Sequence, residues 1–152
     1  MPKLMAFVAC EKVIIDQDNN VSLITLLQEL KSQIPESVTK EIPPGVKTMA
    51  AIKWVAFSMW VKASDDENEK EYQQRVALVD PSGESTGIEG AAPFKFGSDK
   101  TSMRASVNVL GFPIYATGRY MLRLWMHEKG QPESPEPIAE YPIVVKREQP
   151  KG

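Results

Sequence analysis

Residues 118–128 read GRYMLRLWMHE, and the alternation within them decides the fold. Tyr120, Leu122, Leu124 and Met126 recur at every second position, with Met121, Arg123, Trp125 and His127 between them. Successive side chains of an extended backbone point to opposite sides, so this period predicts a strand buried on one face. The same period returns in residues 49–63 (MAAIKWVAFSMWVKA). There Val55, Phe57, Met59 and Val61 alternate with Ile52, Trp54, Ala56, Ser58 and Trp60. It returns again in residues 101–110, where Met103, Ala105, Val107 and Val109 alternate with polar residues. Residues 71–80 (EYQQRVALVD) form another strand that runs into Asp80-Pro81-Ser82-Gly83, where early Pro and late Gly set a turn.

Working outward to the start of the chain, MPKLMAFVACEKVIID admits two readings, a short lipoprotein signal ending at Cys10 or a first strand. A signal needs a basic start and an apolar core of roughly 7–15 residues. Here there is one Lys, the core spans only residues 4–9, and Phe7 stands three residues before the cysteine. A strand is the expectation, with Cys10 as packing and the protein cytoplasmic. Residues 12–16, the polar turn 17–20 and residues 21–30 (VSLITLLQEL) read as a hairpin. Leu23, Leu26, Leu27 and Leu30 also fit a helical period, but Val21, Ile24 and Thr25 are β-branched and favour a strand. Residues 31–48 hold Pro35, Pro43, Pro44 and Gly45 and read as one long connection. Residues 129–136 are a loop. The last strand, 138–147, carries Pro142, which suits an edge or a bulge.

The chain has 152 residues, the size of one domain. We expect a single sandwich over residues 1–147 and a flexible tail over 148–152. Strands separated by turn signals, with no convincing helix, predict an all-β antiparallel sandwich of about seven or eight strands. Net charge is −2 and no Lys/Arg run exceeds two residues, so the clustered cations of a nucleic-acid groove are missing. No apolar run approaches the roughly 20 residues of a membrane helix. The single cysteine offers no disulfide and no thiolate cluster, which favours a reducing compartment.

Two phrases carry a resemblance. Gly118-Arg119-Tyr120-Met121-Leu122-Arg123-Leu124 is similar to the sixth strand of immunoglobulin-like sandwiches. In those domains a tyrosine near the strand start bonds the backbone through its hydroxyl. Val76-Ala77-Leu78-Val79-Asp80-Pro81-Ser82-Gly83 resembles a turn common in the same domains, one residue adjusted. The chain as a whole also resembles an uncharacterised family of small bacterial proteins. That likeness rests on Cys10-Glu11, on Asp16 followed by Val21-Ser22-Leu23-Ile24, and on Phe112-Pro113-Ile114 followed by Gly118-Arg119-Tyr120. It implies an all-β fold and brings no catalytic residues.

Candidate chemistries mostly fail on their neighbours. Gly83-Glu84-Ser85-Thr86-Gly87 matches the nucleophile-elbow pattern, yet Gly90 and Pro93 follow where a helix must start, so a glycine-rich surface turn is expected. Asp16-Gln17-Asp18-Asn19-Asn20 opens like a calcium loop, but Val21 and Leu27 stand where Gly and Glu are required. Cys10 and His127 form the one thiol–base pair available; Cys10 reads as a buried hydrophobe and His127 as exposed. Asp65, Asp66, Glu67, Glu69 and Glu71 form an acidic loop that supports, as an alternative function, a small-ligand or calcium module. No enzyme, no resident metal and no cofactor is expected.

The leading expectation is aromatic. If residues 49–63 and 118–128 are the third and sixth strands, they share a sheet. With Val55, Phe57 and Met59 turned inward, Trp54, Trp60, Met121, Arg123 and Trp125 gather on its outer face. Those residue types are enriched at interface hot spots. The face then binds a protein partner or a second copy, with no nucleic acid and no membrane involved. Alternatively, Ile34, Val38, Ile42 and Val46 of the long connection cover it as a second small core.

Overall fold

The computed structural model describes residues 1–32 and 48–147. The expected tail 148–152 and most of the expected connection 31–48, with Ile34, Val38, Ile42 and Val46, lie outside the described residues. Nine strands follow in order: β1 (Lys3–Ile15), β2 (Val21–Leu26), β3 (Glu29–Ser32), β4 (Met49–Val61), β5 (Glu71–Val79), β6 (Ser85–Lys95), β7 (Ser102–Pro113), β8 (Gly118–Glu128) and β9 (Ala139–Arg147). A 3₁₀ turn at Asp65–Glu67 joins β4 to β5. The sheets have orders β2-β1-β4-β7 and β3-β9-β8-β5-β6 and pack face to face as an all-β sandwich.

Two expected features of the chain are realised closely. The hydroxyl of Tyr120 donates to the Ala116 carbonyl at 3.0 Å, tying the start of β8 to the corner before it. At the other turn, the Gly83 amide donates to the Asp80 carbonyl at 2.9 Å with Gly83 at φ 90, a conformation glycine adopts without cost.

Three expectations need correction. The segment 21–30 is not one strand. Thr25 takes φ 53, which is unfavourable for a β-branched residue, and the chain leaves one sheet for the other. There β3 pairs with β9 in parallel, Glu29 beside Val144, so the sandwich is not wholly antiparallel. The expected surface turn over Gly83–Gly87 ends at Glu84, and Ser85 begins β6 (Ser85–Lys95), an edge strand that its glycines and Pro93 obscured. Finally, β4 and β8 lie in different sheets. The neighbours of β8 are β5 and β9, so β5 holds the third place of an immunoglobulin-like arrangement and β4 the second, with β1 to β3 acting as a divided first strand.

That exchange decides what is core. Trp54 and Trp60 are 1% and 0% exposed and lie in the main cluster between the sheets, with Tyr72, Phe94, Phe112, Tyr120, Leu122 and Leu124. Trp60 stacks on Phe94 with centroids 5.4 Å apart, and Phe112 meets Tyr120 edge-on at 5.2 Å. Full burial of each such side chain is worth about 1.5–3 kcal/mol. The polar edges of both indoles are satisfied, Trp54 Nε1 by the Gly111 carbonyl at 2.9 Å and Trp60 Nε1 by Gln74 Oε1 at 3.0 Å.

Candidate functional site

The expected interface of Trp54, Trp60, Met121, Arg123 and Trp125 does not assemble. On β8 the expected alternation holds: Tyr120, Leu122, Leu124 and Met126 are buried in the core, and Met121, Arg123, Trp125 and His127 lie on the opposite face. On β4 the faces are the reverse of the expectation: both sides are apolar and both are buried, Trp54 and Trp60 between the sheets and Val55 and Phe57 under the β1–β2 hairpin. Trp125 is itself only 9% exposed. The Arg75 guanidinium lies 3.9 Å over its ring, and the indole donates to the Pro135 carbonyl at 3.5 Å. Arg75 is fixed in turn by Glu133, with Nη2 to Oε1 at 2.7 Å and Nε to Oε2 at 3.1 Å. This fork holds the Glu133 carboxyl below the usual carboxylate range. The loop after β8 is thereby strapped over Trp125. Arg123 pairs with Glu140 at 3.2 Å.

The other sequence candidates also separate. The carboxylates of residues 65–71 diverge. Asp65 meets Lys62, Glu69 meets Lys95 and Glu71 meets Lys129, while Glu67 turns inward to accept the Ala63 and Ser64 amides. Burial and that neighbouring Glu67 push the Tyr72 hydroxyl up to about 12. Among the described residues no group of three or more acidic, cysteine or histidine side chains converges as a metal site. Ser85 pairs near Val79 while His127 pairs near Gln73, at opposite ends of β5. Cys10 lies on a strand of one sheet and His127 on a strand of the other, and burial raises the thiol further above neutrality.

The structure instead presents a cleft that the sequence did not announce. β1 pairs with β4 from Lys3 opposite Val61 to Cys10 opposite Val55, and there the ladder stops. Residues 11–15 continue with β2 alone, through Lys12↔Ile24, Val13↔Leu23, Ile14↔Ser22 and Ile15↔Val21. Residues 49–54 of β4 likewise continue along β7 alone. Two strand edges without ladder partners among the described residues therefore face each other across a split in the sheet.

The hairpin that peels away folds over the outside of its own sheet. Arg104 on β7, two strands from β1, donates to the Asn19 carbonyl at the hairpin tip at 3.0 Å. Val13, Val21 and Leu23 come down on Cys10, Val55 and Phe57, forming a small second core on that face. The bend falls at Thr25, whose positive φ interrupts the β1–β2 ladder between Cys10↔Leu26 and Lys12↔Ile24. The tip itself is held by Asp16, whose Oδ1 accepts the Asp18 and Asn20 amides at 2.8 and 2.9 Å.

Between the diverging edges lies a groove of about 1190 Å³. Its apolar lining includes Val13, Ile15, Leu26, Ile52, Val55 and Leu110, and Lys12, Lys53, Ser106 and Asn108 add polar groups. Leu110 is 73% exposed, and Ile15 and Leu26 are also exposed. Apolar side chains beside unpaired backbone donors and acceptors suit a chain in extended conformation, which supplies both kinds of contact at alternate positions. The volume exceeds the roughly 300–1,000 Å³ of small-molecule pockets.

No helix among the described residues is long and apolar enough to cross a membrane. No protein-family model matches the chain, and no curated protein sequence matches it.

Proposed function

We propose that this protein is a non-enzymatic binding module that takes an extended segment of a protein partner into the cleft between β1 and β4. The observation that carries the reading is the pair of facing strand edges, residues 11–15 and 49–54, flanking an amphipathic groove. Strand addition draws affinity from main-chain hydrogen bonds and specificity from alternate side-chain pockets, and both elements are present here. Exposed Leu110, Ile15 and Leu26 supply the apolar contacts, and Lys53 and Asn108 supply polar ones. The buried lone thiol of Cys10 supports a reducing, cytoplasmic setting for this role.

Selection from a displayed library of short linear peptides, followed by amide hydrogen exchange, tests the reading. Binders should alternate apolar and polar residues, protect amides within residues 11–15 and 49–54, and lose affinity at least tenfold on Leu110→Asp. Trp125→Phe, under its strap on the opposite sheet, should bind as wild type does. A library that returns no binder, or binders that protect the β5–β8 face instead, would overturn the proposal.

A further inference from the structure

The cleft is open at one end and closed at the other. From Lys3 opposite Val61 to Cys10 opposite Val55, β1 and β4 are ladder neighbours. Strands paired in this way lie about 4.8 Å apart, with no room for a third chain between them. Beyond that last pair the edges diverge, residues 11–15 on one side and 49–54 on the other. A segment lying along these edges therefore runs into a blind end at Cys10 and Val55. Either the chain terminates there or it turns out of the sheet.

The side chains at the blind end favour termination. Lys12 and Lys53 line the groove, one on each edge, and each stands two positions from the closing pair. Asn108 lines it too and stands opposite Val55 on β7. Among the described residues neither lysine pairs with a carboxylate, and the Asn108 side chain makes no hydrogen bond. Two carboxylates also line the groove. Glu29 is answered by Lys146 at 3.4 Å, which leaves Glu11 against two lysines and one positive charge in excess. In a groove with apolar walls that charge is screened less than on open surface. It matches a carboxylate at the end of an extended chain, and the carboxylate that every protein chain carries at an end is its C-terminus. An N-terminal segment would instead bring an ammonium group to the same lysines.

We propose that the cleft takes the C-terminal segment of a partner protein, with the terminal carboxylate held by Lys12, Lys53 and Asn108. This rests on the reading of the cleft as a strand-addition site, and it fixes the direction of the incoming strand. From the closing pair β1 runs outward, while β4 runs toward it. A segment that ends there lies antiparallel to residues 11–15, the slightly stronger kind of ladder, and parallel to residues 49–54. Its upstream part leaves through the open mouth past Ile15 and Met49, where the rest of the partner has room. Leu110, paired with Lys53 and 73% exposed, then meets an apolar side chain close to the terminus.

Two displayed libraries of short random peptides test the assignment, one with free C-termini and one with the same segment followed by further sequence. Binders should come from the free-ended library, and each should lose affinity at least tenfold when resynthesised with a C-terminal amide. Lys12→Met and Lys53→Met keep the apolar stems, so melting temperatures should stay near wild type. Each variant should bind the free acid several-fold more weakly and the amide almost unchanged. A nitroxide on the peptide's N-terminus should broaden the amide resonances of Ile15 and Met49 and spare Cys10. Binders that protect residues 11–15 and 49–54 from amide exchange yet tolerate amidation, or that come equally from the second library, overturn the C-terminal assignment and leave strand addition standing. So does a free acid whose binding neither lysine variant weakens. An absence of binders in both libraries, or protection confined to the β5–β8 face, overturns both readings.

Discussion

Arg104 Nη1 lies 3.0 Å from the carbonyl of Asn19, a contact that spans the width of β4 and pins the hairpin tip to the far side of its sheet. Asn19 occupies the left-handed region at φ 65, which turns its carbonyl toward the guanidinium. The bond is exposed to solvent, so it contributes at most about 1 kcal/mol to global stability. Its effect is local. Arg104→Ala should leave the melting temperature within a few degrees of wild type but accelerate amide exchange across residues 12–24 several-fold, because opening the hairpin no longer breaks this contact. Unchanged exchange there would mean that Val13, Val21 and Leu23 hold the hairpin unaided.

Gly90 explains how the two sheets close along one side. A Cβ built on it would lie 2.5 Å from Val107 Cγ1, closer than two carbons approach. Gly90→Ala should therefore cost about 1–3 kcal/mol by overpacking. The double variant with Val107→Ala should recover most of that loss, and a denaturant double-mutant cycle measures the coupling. Simple additivity of the two losses would show that β6 shifts rather than clashes.

How far the sequence carried these features depends on what each residue signals locally. Tyr120 and the Asp80–Gly83 turn were legible because their interactions close within a few residues, and the alternation on β8 gave its two faces correctly. β4 alternates equally well, but Val55, Phe57 and Met59 on one side and Trp54, Ala56 and Trp60 on the other are both apolar. Period alone cannot choose between two apolar sides. Both are in fact buried, one between the sheets and one under the hairpin. The cleft depends on where β1 stops pairing with β4, and there the chain bends at Thr25 while Arg104 reaches Asn19, a residue 85 positions away. No local pattern encodes such a contact.

Asp80 gives the fold a defined acid response. Its Oδ1 accepts from the Ser82 hydroxyl at 2.6 Å and from the Ser82 and Glu84 amides at 2.9 and 3.0 Å, and Oδ2 accepts from the Tyr115 hydroxyl at 2.8 Å. These donors, the Ser82 hydroxyl foremost, outweigh burial and lower the carboxyl to about 2. A depressed native value means that the unfolded chain, titrating near 3.9, takes up its proton first as pH falls. The contribution, about 2 kcal/mol, is full above roughly pH 5 and is lost as pH drops through 4 toward 2. Asp80→Asn should flatten this part of the stability–pH curve measured by thermal melts, and Tyr115→Phe should reduce its amplitude. A wild-type curve already flat between pH 5 and 2 would contradict the assignment.

Gln74 makes the least intuitive prediction. Its side chain is fully buried between the sheets, where Oε1 accepts from Ser58 Oγ and from Trp60 Nε1. Its Nε2 has no hydrogen-bond partner among the described residues, and an unmet buried donor costs about 1–3 kcal/mol. The remaining groups close without it, since Trp60 Nε1 lies 3.1 Å from Ser58 Oγ, which in turn reaches the Ala105 carbonyl at 3.2 Å. Gln74→Met preserves the shape, removes the unmet donor and leaves the indole and the serine paired with each other. It should be neutral or stabilising by up to about 1 kcal/mol in chemical denaturation. Ser58→Ala breaks the same network at its hub and should cost about 1–2 kcal/mol, because Ser58 alone links both sheets to the β7 backbone. If Gln74→Met instead proved the more damaging, the amide would be holding the sheets in register and the unmet donor would be the cost of that alignment.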